Sequence, residues 1–167
     1  MIILVILLFV FALTLLLGKF FLKFSISVAQ AGQVAMCAML LFTGTSHFYL
    51  TSSMVLMMPD FLPAKLELVY VTGLMEIVLG LGLLFQKTRK TSSVILILFL
   101  IAVVPANVVA AIKHVNIQAA DFTGPGLSYL WFRIPLQLLF IGWVYVFGFR
   151  RISSLNNYAV ENKLSFI

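Results

Sequence analysis

LELVYVTGLMEIVLGLGLLF, residues 66–85, is the stretch on which the reading of this chain turns. It matches the roughly 20 residues that an α-helix needs to cross a hydrocarbon core, yet Glu76 stands near its middle. A second run, GLSYLWFRIPLQLLFIGWVYVFG at 126–148, carries Arg133 in the same manner. A charged side chain at membrane depth costs about 2.5–3.5 kcal/mol on insertion scales, so it faces a bundle interior, a wet cavity or an opposite charge. The reading therefore sets Glu76 opposite Arg133 and takes the two as the functional lead.

Composition extends this conclusion to the whole chain. Of 167 residues, 63% are hydrophobic and 10% charged, and the mean hydropathy of +1.16 excludes a soluble globular core with a polar skin. The expected fold is all-α, an integral membrane bundle without a water-soluble catalytic domain. Five spans are predicted, at 2–17, 24–46, 66–85, 91–113 and 126–148. The first is short enough to suggest a signal peptide. No basic region precedes it and Gly18-Lys19-Phe20-Phe21 follows it instead of a small-x-small site, so it is read as a retained helix.

Basic residues alternate between connections. Lys19 and Lys23 follow the first span, Lys87, Arg89 and Lys90 the third, and Arg150 and Arg151 the fifth; the other connections carry Lys65, Lys113 and His114 beside Asp60, Glu67 and Asp121. The positive-inside rule then predicts an N-terminus outside and a C-terminus in the cytoplasm. These anchors account for the net charge of +6, and no nucleic-acid partner is read from it.

At about 1.5 Å of rise per residue, the costly polar groups fall in the outer half of the bundle. Glu76, Asn107, Arg133 and Gln137 lie at comparable depths, with His47 and His114 closing the outer ends of the second and fourth spans. Tyr129, Arg133 and Gln137 are four residues apart and share one helix face. Glu76 lies between Gly73 and Gly80, below Tyr70, where glycines let another backbone approach. Pro105 withholds an N–H from its helix and frees a carbonyl near Ile101 or Ala102. The expectation is a small outward-facing cavity lined by Glu76, Arg133, Asn107, Gln137, His47, Tyr70 and Tyr129. A bland alternative stands beside each: a helix clamp for Glu76 with Arg133, a helix-end hydrogen bond for His47, and interface anchoring for the Tyr and Trp side chains.

Other chemistry is poorly represented. Gly80-Leu81-Gly82 lacks the third glycine of a dinucleotide fingerprint, and Gly124-Pro125-Gly126 is a turn. Cys37 is the only cysteine, which excludes an internal disulfide and makes packing its expected role. No metal-ligand cluster and no complete catalytic constellation is visible, and haem on His47 and His114 or copper on Met54, Met57 and Met58 is weakly motivated. The Met54 to Leu62 connection reads as an interfacial helix, or lid, lying on the membrane.

His47-Phe48, Met58-Pro59-Asp60-Phe61-Leu62-Pro63, the Gly73 to Leu84 run, Thr88-Arg89-Lys90, Pro105-Ala106-Asn107-Val108 and Arg133-Ile134-Pro135-Leu136-Gln137 follow one another in this order. That order resembles the DoxX-like family of bacterial integral membrane proteins over residues 28–148. The resemblance implies a four-helix inner-membrane unit at 24–149, preceded by an extra helix and basic cytoplasmic loop at 1–23 and followed by a cytoplasmic tail at 150–167. Relatives named DoxD and DoxA form a thiosulfate:quinone oxidoreductase, and others are associated with redox-stress complexes. Carried over by position, Glu76, Asn107, Arg133, Gln137 and His47 are similar to that family's polar residues.

The functional expectation is an inner-membrane protein whose cavity binds a small amphipathic ligand such as a quinone, as membrane partner of a redox system. Arg133 would hold a carbonyl or anionic headgroup and Glu76 would pass a proton. Beyond a bound quinone no cofactor is expected; lipid and redox or membrane-complex proteins are the expected partners. The alternatives are a structural or assembly subunit of a larger membrane complex and a small transporter, which the absence of an inverted repeat disfavours.

Overall fold

The computed structural model describes residues 2–20 and 26–150. These residues are helical, with an isolated bridge between Asn116 and Asp121 as their only β-type pairing. The helices are α1 (Ile2–Phe20), α2 (Val28–Tyr49), α3 (Thr51–Met57), α4 (Lys65–Gly82), α5 (Gln86–Ala102), α6 (Val104–Ile112) and α7 (Ser128–Val144), which continues into a π-helical segment, Tyr145–Arg150. The tail predicted from residue 151 onward lies outside the described residues.

Four helical stretches are long and apolar enough to cross a membrane: α1, α2, the α5–α6 pair over Gln86–Ile112, and Ser128–Phe149. The stretch expected as the third span is helical, as α4, but it is not among these four: it is 18 residues long and carries Lys65, Glu67 and Glu76. Glu76, near its middle, is the charge that a lipid-facing helix would not carry.

Burial identifies the centre. The apolar window of α2 is 56% buried against 11% for α1, so α2 is wrapped by its neighbours while α1 leans on the outside. Ser27 starts α2 with a capping box: its Oγ accepts from Gln30 N–H, and the Gln30 side chain accepts from Ser27 N–H. From there Ala35, Met36, Met39 and Leu40 run into a core shared with Leu79, Leu83, Leu96, Phe99, Leu100, Leu136, Phe140 and Val144. Leu7 of α1 is sealed in the same core. Phe11 packs edge-on against Trp143 at 5.1 Å, while Phe9 is 63% exposed.

Glycines bring α2 and α4 to backbone contact. A Cβ on Gly73 would lie 2.6 Å from His47 Cβ and 2.9 Å from the Gly44 carbonyl, and one on Gly44 would meet the Gly73 carbonyl at 2.8 Å. Gly80 faces Leu40 one crossing further along. This small-residue seam is how membrane helices gain packing where lipid offers no hydrophobic drive.

The helix ends are tied at both ends of the bundle. Arg89 donates from Nε to the Leu83 carbonyl at 2.9 Å and from Nη2 to Leu84 at 3.2 Å, while Thr88 Oγ1 donates to Gly82, so the last turn of α4 is capped by side chains of α5. At the opposite end Asp60 accepts from Lys113 at 2.7 Å and from Lys65 at 3.1 Å. That carboxylate joins the α3–α4 connection to the end of α6, and the two lysines hold it below its ordinary titration range.

The predicted 91–113 span is divided at Val103 because Pro105 has no N–H to continue the ladder. The carbonyl taken up at this break is that of Leu100, one residue before the expected Ile101 or Ala102, and Gln137 Nε2 of α7 donates to it. The π-helical segment has a similar role. Gln33 Nε2 donates to the Phe147 carbonyl at 2.6 Å and Trp143 Nε1 to the Gly32 carbonyl at 2.9 Å, fastening α2 to the end of α7.

Candidate functional site

Glu76 and Arg133 do not meet. Among the described residues no ion pair or hydrogen bond joins them, and each takes other partners. Sequence reading placed both at one depth but could not tell which side of its helix each occupies. The α2–α4 seam settles this for Glu76, turning it onto α2.

There Glu76 Oε2 accepts from Thr43 Oγ1 at 2.6 Å, and Oε1 lies 3.5 Å from His47 Nε2. His47 is in turn held from behind, its Nδ1 lying 3.0 Å from the Val69 carbonyl and 3.2 Å from Thr72 Oγ1. Both side chains are largely enclosed, at 15% exposure for His47 and 12% for Glu76. Thr43 and Thr72 were missed by sequence reading. The available signal was their spacing, Thr43 four residues before His47 and Thr72 four before Glu76, which puts each threonine on the helix face of one member of the pair.

Arg133 belongs to a second set on α6 and α7. Its Nε donates to Asn107 Oδ1 at 3.1 Å, and Asn107, fully buried, donates from Nδ2 to the Val103 carbonyl at 3.4 Å. The other four N–H groups of the guanidinium have no acceptor among the described residues. Tyr129, one turn before Arg133 on the same face, has a buried hydroxyl without a hydrogen-bond partner. Such an orphan costs about 1–3 kcal/mol, and native structures rarely keep one without a use.

The remaining predicted residues are dispersed. Gln137 is committed to the Leu100 carbonyl. Tyr70 is 41% exposed and stacks on Phe48 at 5.6 Å, so it belongs to the periphery. Trp131 is 86% exposed, as an interface anchor would be. His114, in a left-handed conformation at φ 54°, lays its ring against Gly126. Among the described residues no three His, Cys, Asp or Glu side chains gather as a metal site. Cys37 is buried in α2, where its carbonyl faces Gly80.

Apolar helices of spanning length, with an enclosed acid–imidazole pair on one seam and an under-used guanidinium on another, define an α-helical protein suited to a membrane. The chain belongs to the family described as "Domain of unknown function (DUF8561)", which matches residues 36–148, more than half of its length. The match begins within α2, leaving α1 outside it. No curated protein matches the chain, and no solved structure matches it.

Proposed function

We propose that this protein is a five-span inner-membrane protein that binds a small amphipathic ligand carrying a carbonyl or anionic headgroup, a quinone being the leading candidate, as membrane partner of a redox system. The carrying observation is the orphaned Tyr129 hydroxyl one turn from Arg133, whose guanidinium spends one donor of five on Asn107. A headgroup oxygen beside these donors would satisfy both. A buried hydroxyl without a partner is expensive in lipid, where water is scarce. The DoxX-like resemblance supports quinone over other headgroups, and α4 is taken as the fifth span because it packs along α2 with its charges turned inward at Glu76. The Asp60–Lys113 bridge supports a common end for the α3–α4 and α6–α7 connections, which the distribution of basic residues makes the extracytoplasmic end.

The test is extraction of lipids from protein purified in mild detergent, with mass spectrometry of the extract and titration of a short-chain quinone. Wild-type protein carries quinone. Arg133→Ala and Tyr129→Phe weaken binding, Arg133→Ala by about tenfold or more, since hydrogen bonds to a charged group contribute about 1.5–3 kcal/mol. Arg133→Lys is also impaired because it keeps the charge and loses the fork. Quinone affinity unchanged in Arg133→Ala overturns the reading.

A second reading, a structural or assembly subunit, is favoured by one observation. Glu76 is partnered within the chain by Thr43 and His47, as a helix clamp would be. A stoichiometric protein partner lost on Glu76→Ala, without any bound small molecule, would select it.

A further inference from the structure

The pair on the α2–α4 seam contains a question of proton count. The Val69 carbonyl can only accept, so an approach of 3.0 Å requires a proton on His47 Nδ1. Thr72 does not change this, because its hydroxyl donates along its own helix, to Leu68 at 2.8 Å or Val69 at 3.0 Å. With Nδ1 committed, a neutral His47 would aim the Nε2 lone pair at Glu76 Oε1, 3.5 Å away. A bare carboxylate oxygen has only lone pairs to offer in return. The contact is attractive only when a further proton is present, on Nε2 as imidazolium facing carboxylate or on Oε1 as carboxylic acid facing imidazole.

We infer that His47 and Glu76 form a proton-binding site, in which one exchangeable proton moves between Nε2 of the imidazole and Oε1 of the carboxyl. Thr43 donates to Oε2 at 2.6 Å, leaving Oε1 as the oxygen turned to the imidazole. Val69 and Thr72 fix the ring so that Nε2 keeps that direction. Neither side chain is sealed off, at 15% and 12% exposure, so the proton can be gained and lost.

Among the described residues the ion pair formed by His47 and Glu76 is with each other. Its own helices add Cys37 and Tyr49 on α2 and Lys65, Glu67 and Tyr70 on α4. α3, packed on both, has no titratable residue; α5, packed on α4, brings Lys87, Arg89 and Lys90 at its start, where Arg89 is bonded to the Leu83 and Leu84 carbonyls; α1 brings Lys19 near its far end, and α7 with its π-helical segment brings Tyr129, Arg133 and Tyr145. Among the described residues the side-chain and carbonyl partners recorded for the pair are Thr43, Val69 and Thr72. The inference goes beyond the ligand reading and stands independently of it, because no residue of the Arg133 set takes part.

The experiment uses full-length protein in lipid nanodiscs, with ¹⁵N-histidine for NMR and infrared difference spectra recorded in H₂O and D₂O across pH. His114→Gln, a change at an exposed residue, assigns the His47 signals. The expected result is a His47 Nδ1 that stays protonated at every pH while Nε2 titrates. A carboxyl band sensitive to D₂O titrates in step with it and is lost in Glu76→Gln, and His47→Gln shifts its midpoint. An unprotonated Nδ1, or a carboxyl and ring that hold one protonation state throughout without deuterium exchange, overturns the inference and leaves a static clamp. Both of those readouts come from His114→Gln and wild-type protein, so they decide the matter even where Glu76→Gln fails to fold. Loss of quinone binding on Arg133→Ala leaves these signals unchanged, so the two proposals fail separately.

Discussion

Gly73 shows how a residue without a side chain determines where the charged ones go. Its absent Cβ would sit 2.6 Å from His47 Cβ and 2.9 Å from the Gly44 carbonyl, and a backbone carbonyl in a packed helix cannot yield as a side chain can. Gly73→Ala is therefore expected to destabilise the protein by about 1–3 kcal/mol, the usual cost of overpacking, and to disturb the His47–Glu76 contact. Gly142→Ala is the matched control: nothing lies within 4 Å of its Cβ, so the lower backbone entropy of alanine makes it neutral or stabilising by about 0.5–1 kcal/mol. Thermal unfolding in detergent micelles measures both, and equal midpoints for the two variants would sink the argument. The same glycines explain what could be read of the site in advance. Hydropathy located Glu76, Asn107, Arg133 and Gln137 in depth, because depth follows from counting along a helix. The pairing of Glu76 with His47 rather than Arg133 depends on rotation about the helix axis, and only the crossing at Gly44 and Gly73 settles that.

At the scale of elements, the predicted spans lie within a few residues of the helices, since runs of apolar residues and helix length obey the same constraint. Where they depart, a local polar balance is responsible. The span expected at 91–113 divides at Val103, where Pro105 ends the ladder, and α7 continues into a π-helical segment; at both places a glutamine, Gln137 or Gln33, bonds a carbonyl of a neighbouring helix. Those long-range bonds have no periodic signature. The connection between α3 and α4 depends on a different contact, the carboxylate of Asp60 between Lys113 and Lys65. Lys113 first, then Lys65, lowers the affinity of Asp60 for its proton. A carboxyl depressed in the folded state contributes fully above the ordinary aspartate value of about 3.9 and loses that contribution as pH falls through its folded value. Hydrogen exchange in 58–64 should therefore quicken only in strong acid, and Asp60→Asn should show the same quickening at neutral pH. Asp60 is 77% exposed, so added salt should blunt the difference between wild type and variant. Exchange in 58–64 that ignores both acid and Asp60→Asn would show that the two lysines do not hold the connection.

Across the whole molecule, α4, which stands outside the four stretches apolar enough to span, is the helix that decides the topology. If α4 crosses the membrane with its neighbours, Lys87 and Gln118 lie on opposite faces, separated by the broken α5–α6 helix; if α4 merely dips into the bundle, the alternation of basic residues loses its meaning. Cys37 is buried and is the only cysteine, so a Cys37→Ser background is blank to thiol reagents. Gln118 and Lys87 are both exposed, and a cysteine at either should be reachable from its own side. In intact cells a membrane-impermeant maleimide is expected to label Gln118→Cys at once and Lys87→Cys only after the membrane is opened. Reversal of that order would place the Asp60–Lys113 bridge in the cytoplasm and move the His47–Glu76 proton and the Tyr129–Arg133 donors to the inner half. Labelling of both from outside would mean that α5 and α6 turn back at Val103, where the helix is already broken. The expected order follows from charge: Lys87, Arg89 and Lys90 crowd one connection, while Lys65 and Lys113 stand at the other beside Asp60. Counted as lysine and arginine alone, three cations stand at the Lys87 end against two at the Asp60 end, and that asymmetry is the basis of the expected order.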